Sequence, residues 1–181
     1  MKGRRSTSAI EAALVVVVPE AEPLVRDYRR EYDPSAAKGM PAHITINYPF
    51  LPGADPSEAT LQGLRSLLSG VAPFPFRLTR WALFPDLLYL APEPEEPFRN
   101  LVIQVQNTFP DSLPYGGEHS EIIPHLTIAQ EDDPVILEGI SSDFQVGAES
   151  RLPIWSQASH VWLMDNRKGR WSKQTSFRLG G

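Results

Sequence analysis

The chain has four histidines, and two of them stand in the same short pattern: His43-Ile44-Thr45-Ile46 and His125-Leu126-Thr127-Ile128. Both tetrads read His, apolar, Thr, apolar. In an extended strand successive side chains point to opposite faces, so each tetrad buries its aliphatic pair and presents an imidazole beside a hydroxyl. With an ordinary pKa of about 6.5, one ring of such a pair can be neutral and accept a proton near neutral pH while the other carries one and donates it. The threonine hydroxyls are suited to hydrogen-bond an oxygen on which charge develops. A lone strand histidine is usually a packed or solvated residue; it is the repetition of the whole unit that points to chemistry. His43 and His125 are therefore the candidate acid–base pair, with Thr45 and Thr127 as anion-binding partners. Nothing in the spacing assigns acid and base between the two rings.

The elements that must position these tetrads follow from periodicity. Leu14 to Val18 is a continuous apolar run stopped by Pro19, which predicts a central strand buried on both faces. From Glu20 to Tyr32 the residues Ala21, Leu24, Val25 and Tyr28 recur at helical spacing, with Arg26, Arg29 and Arg30 read as a solvated face, the alternative being contact with an anionic ligand. Residues 33–41 are a connector into the first tetrad. Asp55 or Ser57 caps a helix to about Gly70 with Leu61, Leu64, Leu67 and Leu68 inside. Phe74 to Phe84 and Leu87 to Ala91 form an antiparallel hairpin, with Phe76, Leu78 and Arg80 on one face of its first strand and Trp81 and Phe84 read as core or rim packing, or as an aromatic near a cleft that could stack a base. A helix from Phe98 to Phe109 follows an acidic, proline-rich link, and residues 110–124 make a long loop into the second tetrad. Loops feeding such a strand often touch ligands, which makes Tyr115 and His119 possible substrate contacts. Beyond the second tetrad the pattern predicts a short helix to about Ile140, a polar connector, and strands over Leu152 to Trp155, Ser159 to Met164 and Trp171 to Leu179. The basic residues Arg167, Lys168, Arg170, Lys173 and Arg178 read as a charged edge that discourages sheet aggregation, or as an edge that attracts phosphate.

At 181 residues, with 41% hydrophobic and 22% charged side chains, the chain suits one globular unit with a sizeable core; residues 1–8, basic and polar, are expected to be loose. A net charge of −5 argues against holding long nucleic acid by bulk electrostatics, while a small or terminal phosphate remains compatible. Without cysteine there is neither a disulfide framework nor a thiolate metal site, and four scattered histidines do not build a zinc site. No metal or other cofactor is expected. The apolar run Ala12 to Val18 is too short to span a bilayer, and the chain reads as cytoplasmic and monomeric.

The paired His-x-Thr-x signature resembles the two-histidine phosphoesterase superfamily, whose members include bacterial 2′-5′ RNA ligase-like proteins and 2′,3′-cyclic nucleotide phosphodiesterases. The strand Leu14 to Val18, the Phe76 to Ala91 strand pair and the late segment Ser159 to Asp165 fall in that family's order. The 2′-5′ RNA ligase-like subgroup often has a basic residue just after the second tetrad, where this chain has Ala129-Gln130; the departure bears on substrate rather than chemistry. The resemblance implies an α+β fold of two pseudo-symmetric lobes, each an antiparallel sheet with helices outside, with one tetrad from each lobe lining the cleft between them. It implies a metal-independent phosphoesterase acting on a 2′,3′-cyclic phosphate or 2′-5′ phosphodiester of a nucleotide or RNA end. The alternative is a non-catalytic binder of RNA ends or nucleotides using the same cleft.

Overall fold

The computed structural model describes residues 10–52, 55–112 and 122–181. Residues 1–8, Tyr115 and His119 lie outside them, and so do the expectations attached to those positions.

The apolar run forms β1 (Ala12–Val17), an interior strand as its composition requires. A 3-10 turn at Pro19–Ala21 leads into α1 (Glu22–Tyr32), and Asp33 then caps a four-residue helix, α2 (Pro34–Ala37), within the segment read as connector. The first tetrad opens β2 (His43–Asn47). Ser57, whose hydroxyl accepts from the Thr60 N–H, caps α3 (Glu58–Ser69), which buries Leu64 and Leu68. Then come β3 (Phe74–Phe84), β4 (Leu87–Glu93), α4 (Glu96–Thr108) and β5 (Leu126–Gln130), the strand of the second tetrad. The chain ends with α5 (Pro134–Ala148), β6 (Ile154–Ala158), β7 (His160–Asp165) and β8 (Ser172–Arg178).

All the pairings are antiparallel, in two four-stranded sheets ordered β2-β1-β7-β8 and β5-β4-β3-β6. The tetrad strand is an edge strand of each sheet, and the two edges lie beside one another. The helices cross over: α1 packs on β5, in the second sheet, and α4 on β2, in the first. One apolar core runs through both lobes, from Leu14, Val16, Ile44 and Ile46 to Leu88, Leu90, Leu126 and Ile128.

Two expectations are corrected. The helix after the second tetrad does not stop near Ile140 but runs to Ala148, because Leu137, Ile140, Phe144 and Ala148 continue one buried stripe. The polar residues Ser141, Ser142 and Asp143 are its outer face rather than a connector. Arg80 does not share a face with Phe76 and Leu78: Leu78 pairs with Pro92 but Arg80 with Ala91, so Thr79 is an extra residue that turns the rest of β3 over.

Candidate active site

The alternation expected of the tetrads holds. Ile44, Ile46, Leu126 and Ile128 are at most 1% exposed, whereas His43, Thr45, His125 and Thr127 are half-buried on the opposite faces, away from the helices. The two strands even share a defect. Thr45 pairs with Val15 and Asn47 with Leu14, leaving Ile46 as an extra residue; Thr127 pairs with Tyr89 and Ala129 with Leu88, leaving Ile128 in the equivalent place. Such a bulge adds local twist, here immediately after the threonine of each tetrad.

Both rings are held alike. The Nδ1 of His43 lies 2.8 Å from the carbonyl oxygen of Pro41, and the Nδ1 of His125 lies 2.8 Å from that of Ile123. A carbonyl only accepts, so Nδ1 is the protonated nitrogen in both, and in the neutral ring the lone pair sits on Nε2. The backbone that supplies these carbonyls is anchored from the helices. Glu22 of α1 accepts the Ala42 N–H at 2.7 Å, and Arg99 of α4 donates to the Ile122 carbonyl at 3.0 Å.

The electrostatic settings differ. Burial pushes the His43 imidazole down, the Arg29 guanidinium pushes it further, and the Pro41 carbonyl and Asp33 only partly oppose them, leaving it at about 4 against an ordinary 6.5. His43 also senses the charge of His125 across the lobes. His125 is lowered as well, by burial against the opposing pull of the Ile123 carbonyl. Its neighbours are aromatic: Tyr89 and Phe84, stacked on each other at 4.5 Å, meet the His125 ring edge-on at 5.7 and 6.0 Å.

Arg29 also departs from the position that the helical pattern predicts. Rather than joining a solvated face, it is 2% exposed, and its Nε and Nη2 donate to one Asp33 oxygen at 3.1 and 2.9 Å. The other Asp33 oxygen accepts from the Ser35 N–H and hydroxyl. The separation of four between Arg29 and Asp33, one helical turn, was the available signal. Among the described residues no three of His, Asp and Glu converge as a metal-binding group, and no helix is long and apolar enough to cross a membrane.

A two-lobed α+β protein with a His-x-Thr strand at the inner edge of each sheet is the class that this geometry defines. A family model for the 2′-5′ RNA ligase superfamily matches residues 17–170, and the chain belongs to that superfamily. An inferred phosphoesterase of Bacillus licheniformis is 23% identical over 171 residues, covering 92% of this chain and 97% of that one. Another, from Geobacillus kaustophilus, is 26% identical over 172 residues, covering 92% and 95%. Among solved structures, TT0787 of Thermus thermophilus superposes with a TM-score of 0.59 at 17% identity, covering 94% of this chain and 98% of that one. Escherichia coli LigT, crystallised with 3′-AMP, gives 0.59 at 13% identity, covering 96% and 100%. These two superpositions establish the shared fold.

Proposed function

We propose that the protein is a phosphoesterase that opens a 2′,3′-cyclic phosphate, or cleaves a 2′-5′ phosphodiester, at the end of a nucleotide or RNA, with His43 and His125 as general base and general acid. The observation that carries this reading is the matched pair of imidazoles, each with Nδ1 tied to a backbone carbonyl and Nε2 left for chemistry, each two residues from a threonine on the same face. LigT has also been crystallised with ATP and with NADP+, which supports a nucleotide as ligand.

For a cyclic phosphate the steps follow from the settings of the two rings. His43 Nε2 takes a proton from water as the water oxygen bonds to phosphorus in line. The bond from phosphorus to one ribose oxygen breaks, and His125 Nε2–H delivers the proton that oxygen needs. Thr45 and Thr127 donate to the non-bridging oxygens, where negative charge builds in the transition state. The base is assigned to His43 because Arg29 opposes its protonation, an effect not found among the causes that act on His125. With a ribose 5′-hydroxyl in place of water, the same sequence, in which the bond from phosphorus to the 3′ oxygen breaks and that oxygen takes the proton, forms a 2′-5′ linkage. The chemistry uses no metal.

The test is incubation with nucleoside 2′,3′-cyclic phosphates and cyclic phosphate-ended oligoribonucleotides, with and without EDTA. Opening at equal rates in both conditions is expected. Loss of activity with EDTA, restored by zinc or manganese, overturns the mechanism; tight binding without any turnover makes the protein a binder of phosphate ends.

A further inference from the structure

The cleft face of the first sheet continues past the histidines. Thr45 is in register with Val15, Val15 with Trp162, and Trp162 with Ser176, one row running outward across all four strands. Adjacent strands lie about 4.8 Å apart, which puts Trp162 about 10 Å from Thr45 along the sheet. The ammonium of Lys173 sits 4.2 Å from the centre of the Trp162 ring. Arg178 is opposite His160 on the same face, and Lys173, Arg178 and His160 are all exposed. None of these three has a carboxylate partner among the described residues.

The corresponding face of the second sheet is different. It also carries a tryptophan under a cation, Arg77 at 5.5 Å from the Trp155 ring, but Arg77 is paired with Glu93 at 3.2 Å and Arg80 with Glu95 at 3.5 Å. Its cations are neutralised, whereas Lys173 and Arg178 of the first sheet have no carboxylate partner among the described residues, in a protein whose net charge is −5. Positive charge of that kind, concentrated on one flank of an anion-binding cleft and interleaved with an aromatic ring, matches the stacking-plus-phosphate mode by which single strands are held.

We propose that the outer half of the first sheet, with Trp162, Lys173 and Arg178, is a subsite for a single-stranded oligonucleotide adjoining the phosphate held between the histidines. The base next to that phosphate stacks on Trp162; Lys173 exchanges the ring for a backbone phosphate, and Arg178 holds the next one. This inference rests on the cleft's taking a nucleotide phosphate, as proposed above, and makes oligonucleotide ends better ligands than mononucleotides.

The probe is a fluorescein-labelled hexaribonucleotide ending in a 3′-phosphate, which binds without reacting, followed by anisotropy and competed with a nucleoside 3′-monophosphate. The wild type should bind the hexamer roughly tenfold or more tightly than the mononucleotide. Lys173→Gln with Arg178→Gln should remove most of that advantage and flatten the salt dependence by about 1.4 in log–log slope, the value for two lost single-strand phosphate contacts. Both positions are exposed, so the fold tolerates the change. Trp162→Leu, a second variant that keeps an apolar side chain in its cluster, should lower the same ratio. Equal affinity for hexamer and mononucleotide, or an advantage that survives the double variant, overturns the subsite. Turnover of cyclic phosphates is scored separately: its absence in the wild type counts against the phosphoesterase reading, whereas the affinity ratio alone decides the subsite.

Discussion

The two tetrad strands are built to the same backbone plan and placed in different electrostatic settings. Register, bulge and Nδ1 anchor coincide in β2 and β5, yet His43 lies near a buried guanidinium and His125 against two stacked aromatic rings. The difference teaches that pseudo-symmetry can supply geometry twice while the surroundings divide the labour. Two identical imidazoles would compete for the same proton; in the mechanism proposed above, the ring beside the fixed positive charge of Arg29 serves as the base.

The most severe test of that comparison is deletion of each ring. His43→Ala and His125→Ala should each lower kcat/KM on a cyclic phosphate by about 10² to 10⁴-fold, and the double variant by less than the product, because both rings serve one step. Steady-state rates of the three variants check this, and independent, multiplicative losses would mean that the rings do not act together. Next in size is Arg29→Met, which strands a buried Asp33 and should cost about 3–5 kcal/mol in urea unfolding. In the protein that remains folded, the acid limb of kcat/KM should move up toward the ordinary imidazole value, while Arg29→Lys keeps the low limb. If neither variant moves the limb, Arg29 does not set the asymmetry.

Thr45→Ala and Thr127→Ala should be milder than loss of either histidine, and similar to each other, because the two hydroxyls occupy equivalent places. Unequal losses in kcat would show which hydroxyl meets the more charged oxygen.

The smallest effect concerns stability. The His43 ring takes a proton at about 4 in the folded chain and near 6.5 unfolded, so between those values the unfolded chain binds more protons. The contribution is complete above pH ~6.5, falls as the pH drops toward ~4 and changes no further below it, amounting to at most about 3 kcal/mol. Urea midpoints between pH 4 and 7 should rise with pH, less steeply in His43→Gln than in the wild type. His125, also lowered, adds a slope of the same sign.

Much of this was readable from residues. The duplicated tetrad marked the candidate site, and the alternation it predicts, aliphatic residues inside and His and Thr outside, is the one observed. The hairpin of β3 and β4 and the helices capped by Ser57 and rich in leucine came from local pattern. What was not readable depended on contacts distant in sequence or on a single inserted residue. Arg29 reads as solvated because its helix is expected to have one apolar face, yet it is buried in a structure where α1 also packs on the other lobe's β5. Arg80 takes the face opposite to the one a period of two predicts, because a bulge at Thr79 breaks that period without any glycine or proline to announce it. The approach of Phe84 and Tyr89 to His125 required the pairing of β4 with β5.

The strand order of the first sheet has a consequence for how the protein is made. Leu14 on β1 is partnered on one side by Asn47 and on the other by Leu163. During synthesis the most apolar strand of the molecule therefore has a bare hydrogen-bonding edge until nearly the whole chain has left the ribosome. Long-range pairing of this kind folds slowly, and an unpaired apolar edge invites other strands. A chain interrupted before β7 keeps both tetrads but lacks the strand that covers that edge, and such a fragment should be captured by chaperones or aggregate rather than survive as a half-built enzyme.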